Sequence, residues 1–211
     1  MNARAKALGL VEYLNALEGF AIVDCTDLKY SHMGAVITDA ILQAGINYDA
    51  VVHPRVRRIL ETYREAVTTS AFKRLIDEQG LKTILRWSDD EKPRRILALT
   101  QFFLDQGIET ERDLAAWLAD DANRPKLLHV RGVGPKTVDY LKILVGLQTA
   151  APDRYVFRVL EEAGVDVADY DEAREVINLA ADAMGVERAY FDYSIWCYMS
   201  ERDEKSSRPC S

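Results

Sequence analysis

Residues 127–146 read LLHVRGVGPKTVDYLKILVG. The run has the amphipathic character of a helix on both sides, yet it stops in its middle for Gly-Val-Gly-Pro and then resumes helical periodicity at once, with Lys136 on the first new turn. Helix, tight hairpin, helix is the expected local structure. Gly132 and Gly134 admit backbone angles closed to other residues and remove side chains that would block close approach. Pro135 suits a helix's first turn, where its missing N–H costs nothing. Such a corner is either plain or a grip for a phosphate, because the N–H groups of the hairpin and the helix start face outward at the positive end of the helix. Between Arg124 and Lys142 the chain also carries Lys126, Arg131 and Lys136 against one acid, Asp139. That makes a local basic face, or else an ordinary solvated one.

Outward from the hairpin, nearly every segment reads as helix. Ala7, Val11 and Leu14 share a face in the first, which ends near Gly19. Ser31 is the expected N-cap of a helix through AVITDAILQ, Ser70 of AFKRLIDEQ, and Thr110 of ERDLAAWLAD. Pro54 opens HPRVRRILETYREAV, and Ser88 with three acids opens the segment that runs to Gly107. Val156, Val159, Leu160 and Ala163 keep i, i+3, i+4, i+7 spacing up to Gly164, and Ala173, Val176, Ile177, Ala180 and Met184 repeat it up to Gly185. An aromatic last helix turns Phe191, Ser194, Ile195 and Tyr198 to one side. No strand-like alternation bounded by hairpin turns appears. The expected fold is all-α, with about ten short helices.

The 211 residues suffice for one large domain or two small lobes. No apolar run approaches the ~18 residues that a membrane span needs, and Glu12 and Asn15 come too early for a signal-peptide core. A cytoplasmic protein is the expectation. Cys25, Cys197 and Cys210 form no C-x-x-C pair, and His32, His53 and His129 share no ligand spacing, so no metal site is read. The net charge of −7 counts against nucleic acid in the far field, but a local basic face can still bind phosphate.

LLHVRGVGPKT resembles the helix-hairpin-helix motif. Asp153, in APDRYVFRVLEEAG, follows Lys136 by 17 residues, after a turn containing Gly146 and Pro152. A hairpin lysine followed by a Gly/Pro turn and an aspartate resembles the endonuclease III group of DNA glycosylases. The resemblance is clear over about residues 124–160 and fainter elsewhere. It implies an all-α fold of two helical lobes with a cleft between them. Residues 29–146 would form a barrel-like lobe ending in the hairpin, and residues 1–28 plus 147–211 the second lobe. It implies base-excision repair of damaged double-stranded DNA, with Lys136 as Schiff-base nucleophile of an AP lyase and Asp153 as catalytic carboxylate. The N–H groups of Gly132 and Gly134, with Arg131, would hold a DNA phosphate. Gln43, Asn47 and Tyr48, in LQAGINYD, would meet the lesion or fill the gap it leaves. The carbonyls of Leu128, Val130 and Val133 would hold a monovalent cation, and the protein would act as a monomer, nucleoid-associated if bacterial.

The sequence departs from that family in three places, one of them the stretch between Lys136 and Asp153, which is one residue shorter than in endonuclease III. Endonuclease III carries four closely spaced cysteines for an iron–sulfur cluster, whereas the C-terminal region here has Cys197 and Cys210 alone, so no cluster is expected. The family's glutamine-bearing motif is replaced by LQAGINYD. Asp153 could also be simply an N-cap, and Lys136 simply a phosphate contact. A DNA-binding protein without chemistry therefore stands as the alternative, and a helical interaction protein as a third reading.

Overall fold

The computed structural model describes residues 2–24 and 29–207, with side chains through residue 203 of the last helix. The fold is all-α, with no strand among the described residues. Cys25 and Cys210 lie outside the described residues. No helix among those described is long and apolar enough to cross a membrane, and none of their His, Cys, Asp and Glu side chains gather in a group that could hold a metal ion.

The chain divides into two compact units, Asp27–Leu147 and the pair of terminal segments Met1–Thr26 and Gln148–Ser211. The first unit is organised around one helix. After α1 (Ala3–Ala16), which belongs to the other unit, comes α2 (Met33–Leu42), in which every residue is buried. A helix apolar on nearly all sides is stable only when neighbours enclose it. Here those neighbours are α3 (His53–Thr62), α4 (Thr69–Gln79), α6 (Glu91–Asp105) and α9 (Pro135–Leu144). Short α5 (Leu81–Leu85), α7 (Glu111–Leu118) and α8 (Arg124–Leu128) complete the unit. Ile37, Ile41, Ile59, Phe72, Ile84 and Phe103 are fully buried in its core. At Gly34 α2 packs tightly on α4, since a Cβ there would lie 2.9 Å from the Phe72 ring.

The caps differ from the sequence expectation in two cases. α2 is capped by His32, not Ser31: Nδ1 accepts from the Ala35 N–H at 3.2 Å, so the ring's proton sits on Nε2, which donates to the Tyr63 carbonyl at 3.0 Å. An imidazole can cap and cross-link at once, which a short hydroxyl cannot. Thr68 rather than Ser70 caps α4, because Ser70 instead bonds Glu109. α6 begins at Glu91, three residues after Ser88, and Asp89, one of the expected acids, accepts from the Glu91 N–H at 2.7 Å. Thr110 caps α7 as expected, in a reciprocal capping box with Asp113. α3 ends at Thr62, before the REAV of its expected run.

The second unit joins α1 to α10 (Arg154–Glu162), α11 (Tyr170–Met184) and α12 (Arg188–Ser207). α1 packs along α11, and α12 lies against both α10 and α11. Leu10, Leu14, Val159, Val176, Ile177, Phe191 and Ile195 form its core. Leu10, rather than Val11, is the buried partner of Ala7 and Leu14. In α12, Phe191, Ser194 and Ile195 turn inward as the spacing predicts, but Met199 takes the place expected for Tyr198. Cys197 is half-buried on this helix.

Candidate functional site

The hairpin forms between α8 and α9. The Val133 N–H donates to the Val130 carbonyl at 3.0 Å, closing a tight turn in which Gly132 has φ +80°. A side chain there would be strained, and its Cβ would also sit 2.3 Å from Arg95 Cδ. Gly134 is the N-cap of α9, with no side-chain cap of its own, and Pro135 opens the helix. The N–H groups of Gly132 and Gly134 take part in no backbone hydrogen bond among the described residues. Two donors beside a positive helix end make a concavity suited to an anion.

Arg131 beside them is not idle. Its guanidinium donates to Glu91 Oε2 at 2.8 Å, while Arg95 Nε donates to Glu91 Oε1 at 2.9 Å. The bonds from Arg95, then Arg131, hold the Glu91 carboxyl below its usual range. Arg131 is well exposed, and an exposed ion pair of this kind is weak enough for a phosphate to displace.

Lys136 is half-buried on the first turn of α9, and its Nζ donates to Gln43 Oε1 at 2.8 Å. Gln43 is the C-cap of α2. One turn back on α2 lies Asp39, and one turn on from Lys136 along α9 lies Tyr140. These two are bonded as well, Tyr140 Oη donating to Asp39 Oδ1 at 3.3 Å. The other oxygen of Asp39 accepts from Tyr30 Oη at 2.9 Å and from Tyr48 Oη at 3.1 Å. Asp39 is fully buried, and that burial pushes its carboxyl up to about 6 although all three tyrosine bonds pull it down. Burial and the same carboxylate raise all three phenols above their ordinary value.

The structure thus brings Gln43 to Lys136 and Tyr48 to the adjoining carboxylate. Asn47 serves at a helix end, where its Oδ1 accepts from the Ala50 N–H at 2.8 Å and caps the π-helical turn Tyr48–Val52. Three residues of this cluster, Asp39, Tyr30 and Tyr140, are not marked by any motif in the sequence. The readable signal was an acid inside the otherwise apolar run MGAVITDAIL. Lys92 escapes sequence reasoning too. It is buried and donates from Nζ to the carbonyls of Ile41 at 2.7 Å and Ala44 at 2.8 Å, tying off the end of α2 beside Gln43.

In the other unit, Asp153 caps α10. Its Oδ1 accepts from the N–H groups of Tyr155 at 2.8 Å and Val156 at 3.3 Å. Its Oδ2 makes no hydrogen bond among the described residues, so capping occupies half of the carboxylate. Among the hairpin carbonyls, that of Val130 already accepts one bond and keeps a second lone pair.

The fold is shared with a solved structure, the crystal structure of H. pylori 3-methyladenine DNA glycosylase (MagIII) bound to 1,N6-ethenoadenine. The two chains superpose with a TM-score of 0.58 over 99% of this chain and 100% of that one, at 14% sequence identity. No curated protein matches the sequence. A family described as "Domain of unknown function (DUF8548)" matches residues 10–200, a span that takes in the hairpin, Lys136 and Asp153, and the chain belongs to that family.

Proposed function

We propose that this chain is a base-excision repair DNA glycosylase of the endonuclease III-like kind, which removes a damaged base from double-stranded DNA and then cuts the strand as an AP lyase. The observation that carries the reading is the setting of Lys136. Its amine stands on the helix that follows the glycine hairpin, held by a neutral amide oxygen that can be displaced without separating an ion pair. The fold shared with a 3-methyladenine DNA glycosylase supports it.

In this reading a phosphate of the backbone is held by the N–H groups of Gly132 and Gly134, with Arg131 released from Glu91 to join them. The damaged nucleotide leaves the duplex stack, and Gln43, Asn47 and Tyr48 meet the lesion or the gap. The Lys136 amine attacks C1′, and the base departs with the electron pair of the glycosidic bond. Positive charge develops on the sugar, and the Asp153 carboxylate stabilises it. Ring opening gives an imine between Nζ and C1′. Loss of a C2′ proton then expels the 3′ phosphate by cleavage of the C3′–O bond, which nicks the strand. The carbonyls of Leu128, Val130 and Val133 are the donor set for a monovalent cation that would brace the hairpin. With three cysteines in all, an iron–sulfur cluster is not part of the proposal. The protein acts as a monomer in the cytoplasm, where its DNA substrate lies if the source is bacterial.

The test is borohydride trapping on duplexes carrying one lesion each, alkylated purines, oxidised bases and a bare abasic site among them, with wild type and Lys136→Gln. A covalent adduct that disappears in the variant is expected, and the strongest lane names the substrate. If no duplex gives an adduct and no base is released, the enzymatic reading falls. The alternative, DNA binding without chemistry, draws on the capping role of Asp153 and predicts that Lys136→Gln changes affinity only modestly.

A further inference from the structure

We propose that Asp39 is a positioning residue for Lys136, acting through Tyr140, Tyr48 and Gln43. This rests on the reading of Lys136 as the working amine.

The geometry is a two-rung ladder. α2 and α9 pack together. Asp39 and Gln43 lie four positions apart on one strip of α2, and Lys136 and Tyr140 lie four apart on α9, the spacing that places side chains on a common face. The lower rung is Asp39 to Tyr140, and the upper is Gln43 to Lys136. Sliding or rolling α9 against α2 breaks both together, so the rung anchored on fully buried Asp39 fixes the register of the one at Lys136.

The remaining bonds of Asp39 brace the ladder from two more directions. Tyr30 Oη ties in the segment before α2, whose Tyr30 N–H also donates to the Leu144 carbonyl at the end of α9 at 3.2 Å. Tyr48 Oη ties in the π-helical turn, and the Tyr48 ring stacks on His53 with centroids 6.2 Å apart. His53 is also close enough to favour the Asp39 anion. Lys92 clamps the end of α2 from α6. A carboxylate can accept from three hydroxyls at once. An apolar residue there would orphan three phenols, and Asn offers one acceptor oxygen and a competing NH2 donor. A carboxylate buried at this depth is a costly way merely to fill space, which is why the shared register of the two rungs carries the argument.

The experiment compares wild type, Asp39→Asn, Tyr140→Phe and the pair Tyr48→Phe/Tyr140→Phe, each confirmed folded by circular dichroism. In the absence of DNA, reductive methylation with formaldehyde and borohydride is followed by peptide mass spectrometry at Lys136, with exposed Lys82 as internal control. We expect the Lys136 labelling rate to change by about threefold or more in Asp39→Asn and Tyr140→Phe while Lys82 is unchanged, because loss of the lower rung frees the upper. On an abasic duplex, single-turnover adduct formation by Asp39→Asn and Tyr140→Phe should fall about 10- to 100-fold with substrate affinity within about twofold of wild type. Unaltered Lys136 labelling in folded Asp39→Asn and Tyr140→Phe would overturn the positioning role. Should Asp39→Asn not fold, the two tyrosine variants decide on the same readout. Wild type that forms no adduct overturns the lyase reading instead, and the labelling result still stands or falls by itself.

Discussion

Gly132 illustrates how much one residue can be asked to do. Its φ of +80° and the 2.3 Å approach of Arg95 to its would-be Cβ are separate demands. Gly132→Ala should therefore destabilise the protein by about 1–3 kcal/mol, read from thermal melts, and weaken DNA binding as the turn opens. Arg95→Ala in the same chain should restore part of the loss, since it removes the clash and leaves the backbone strain. Glu91→Gln tests the neighbouring ion pairs: with Arg131 no longer held, the slope of log affinity against log salt should steepen by roughly one phosphate contact. At this scale the places of Lys136 on a first helical turn, of Asp153 at a helix start and of the glycines at the hairpin were legible in the sequence, because turn and helix-start geometry is local. Asp39 was not. Nothing within a few positions of it announces that Tyr30, Tyr48 and Tyr140 converge on its oxygens from three other segments.

Helices were legible as elements and less so at their ends. Thr110, Gly164, Gly185 and Pro135 mark boundaries where the sequence puts them, as their backbone preferences are intrinsic. Ser31 and Ser70 failed because a cap is chosen among neighbouring candidates by what else each can bond. His32 won by reaching the Tyr63 carbonyl, and Ser70 was drawn off by Glu109. α2 is the element whose stability should respond most to pH. The Asp39 carboxyl sits at about 6 in the folded protein against an ordinary 3.8, so between those values the folded state holds a proton that the unfolded chain has lost. Stability should then decline as pH rises through this window, by about 3 kcal/mol from this group. Asp39→Asn should flatten that slope in urea titrations at pH 4 and pH 7. At the other end of α2, Lys92→Met should cost about 2–3 kcal/mol, because the Ile41 and Ala44 carbonyls lose their buried donor.

For the molecule as a whole, the all-α class followed directly from periodicity, while the joining of the first helix to the eleventh could not. No local pattern says that Ala7, Leu10 and Leu14 will be covered by a helix some 160 residues away. One of the two compact units is a single stretch of chain, and the other is assembled from its two ends. That asymmetry governs the order of events at the ribosome. The central unit can close as soon as its last helix has emerged, whereas α1, made before it, must wait with its apolar face uncovered until α11 is complete. Contacts of such long sequence separation are slow to form and leave the early segment open to aggregation and chaperone capture. A fragment of residues 27–147 should accordingly melt cooperatively by calorimetry, and one of residues 148–211 should do so only when residues 1–26 are supplied. Birth order, for this chain, leaves a helix made before the central unit among the last to find its place.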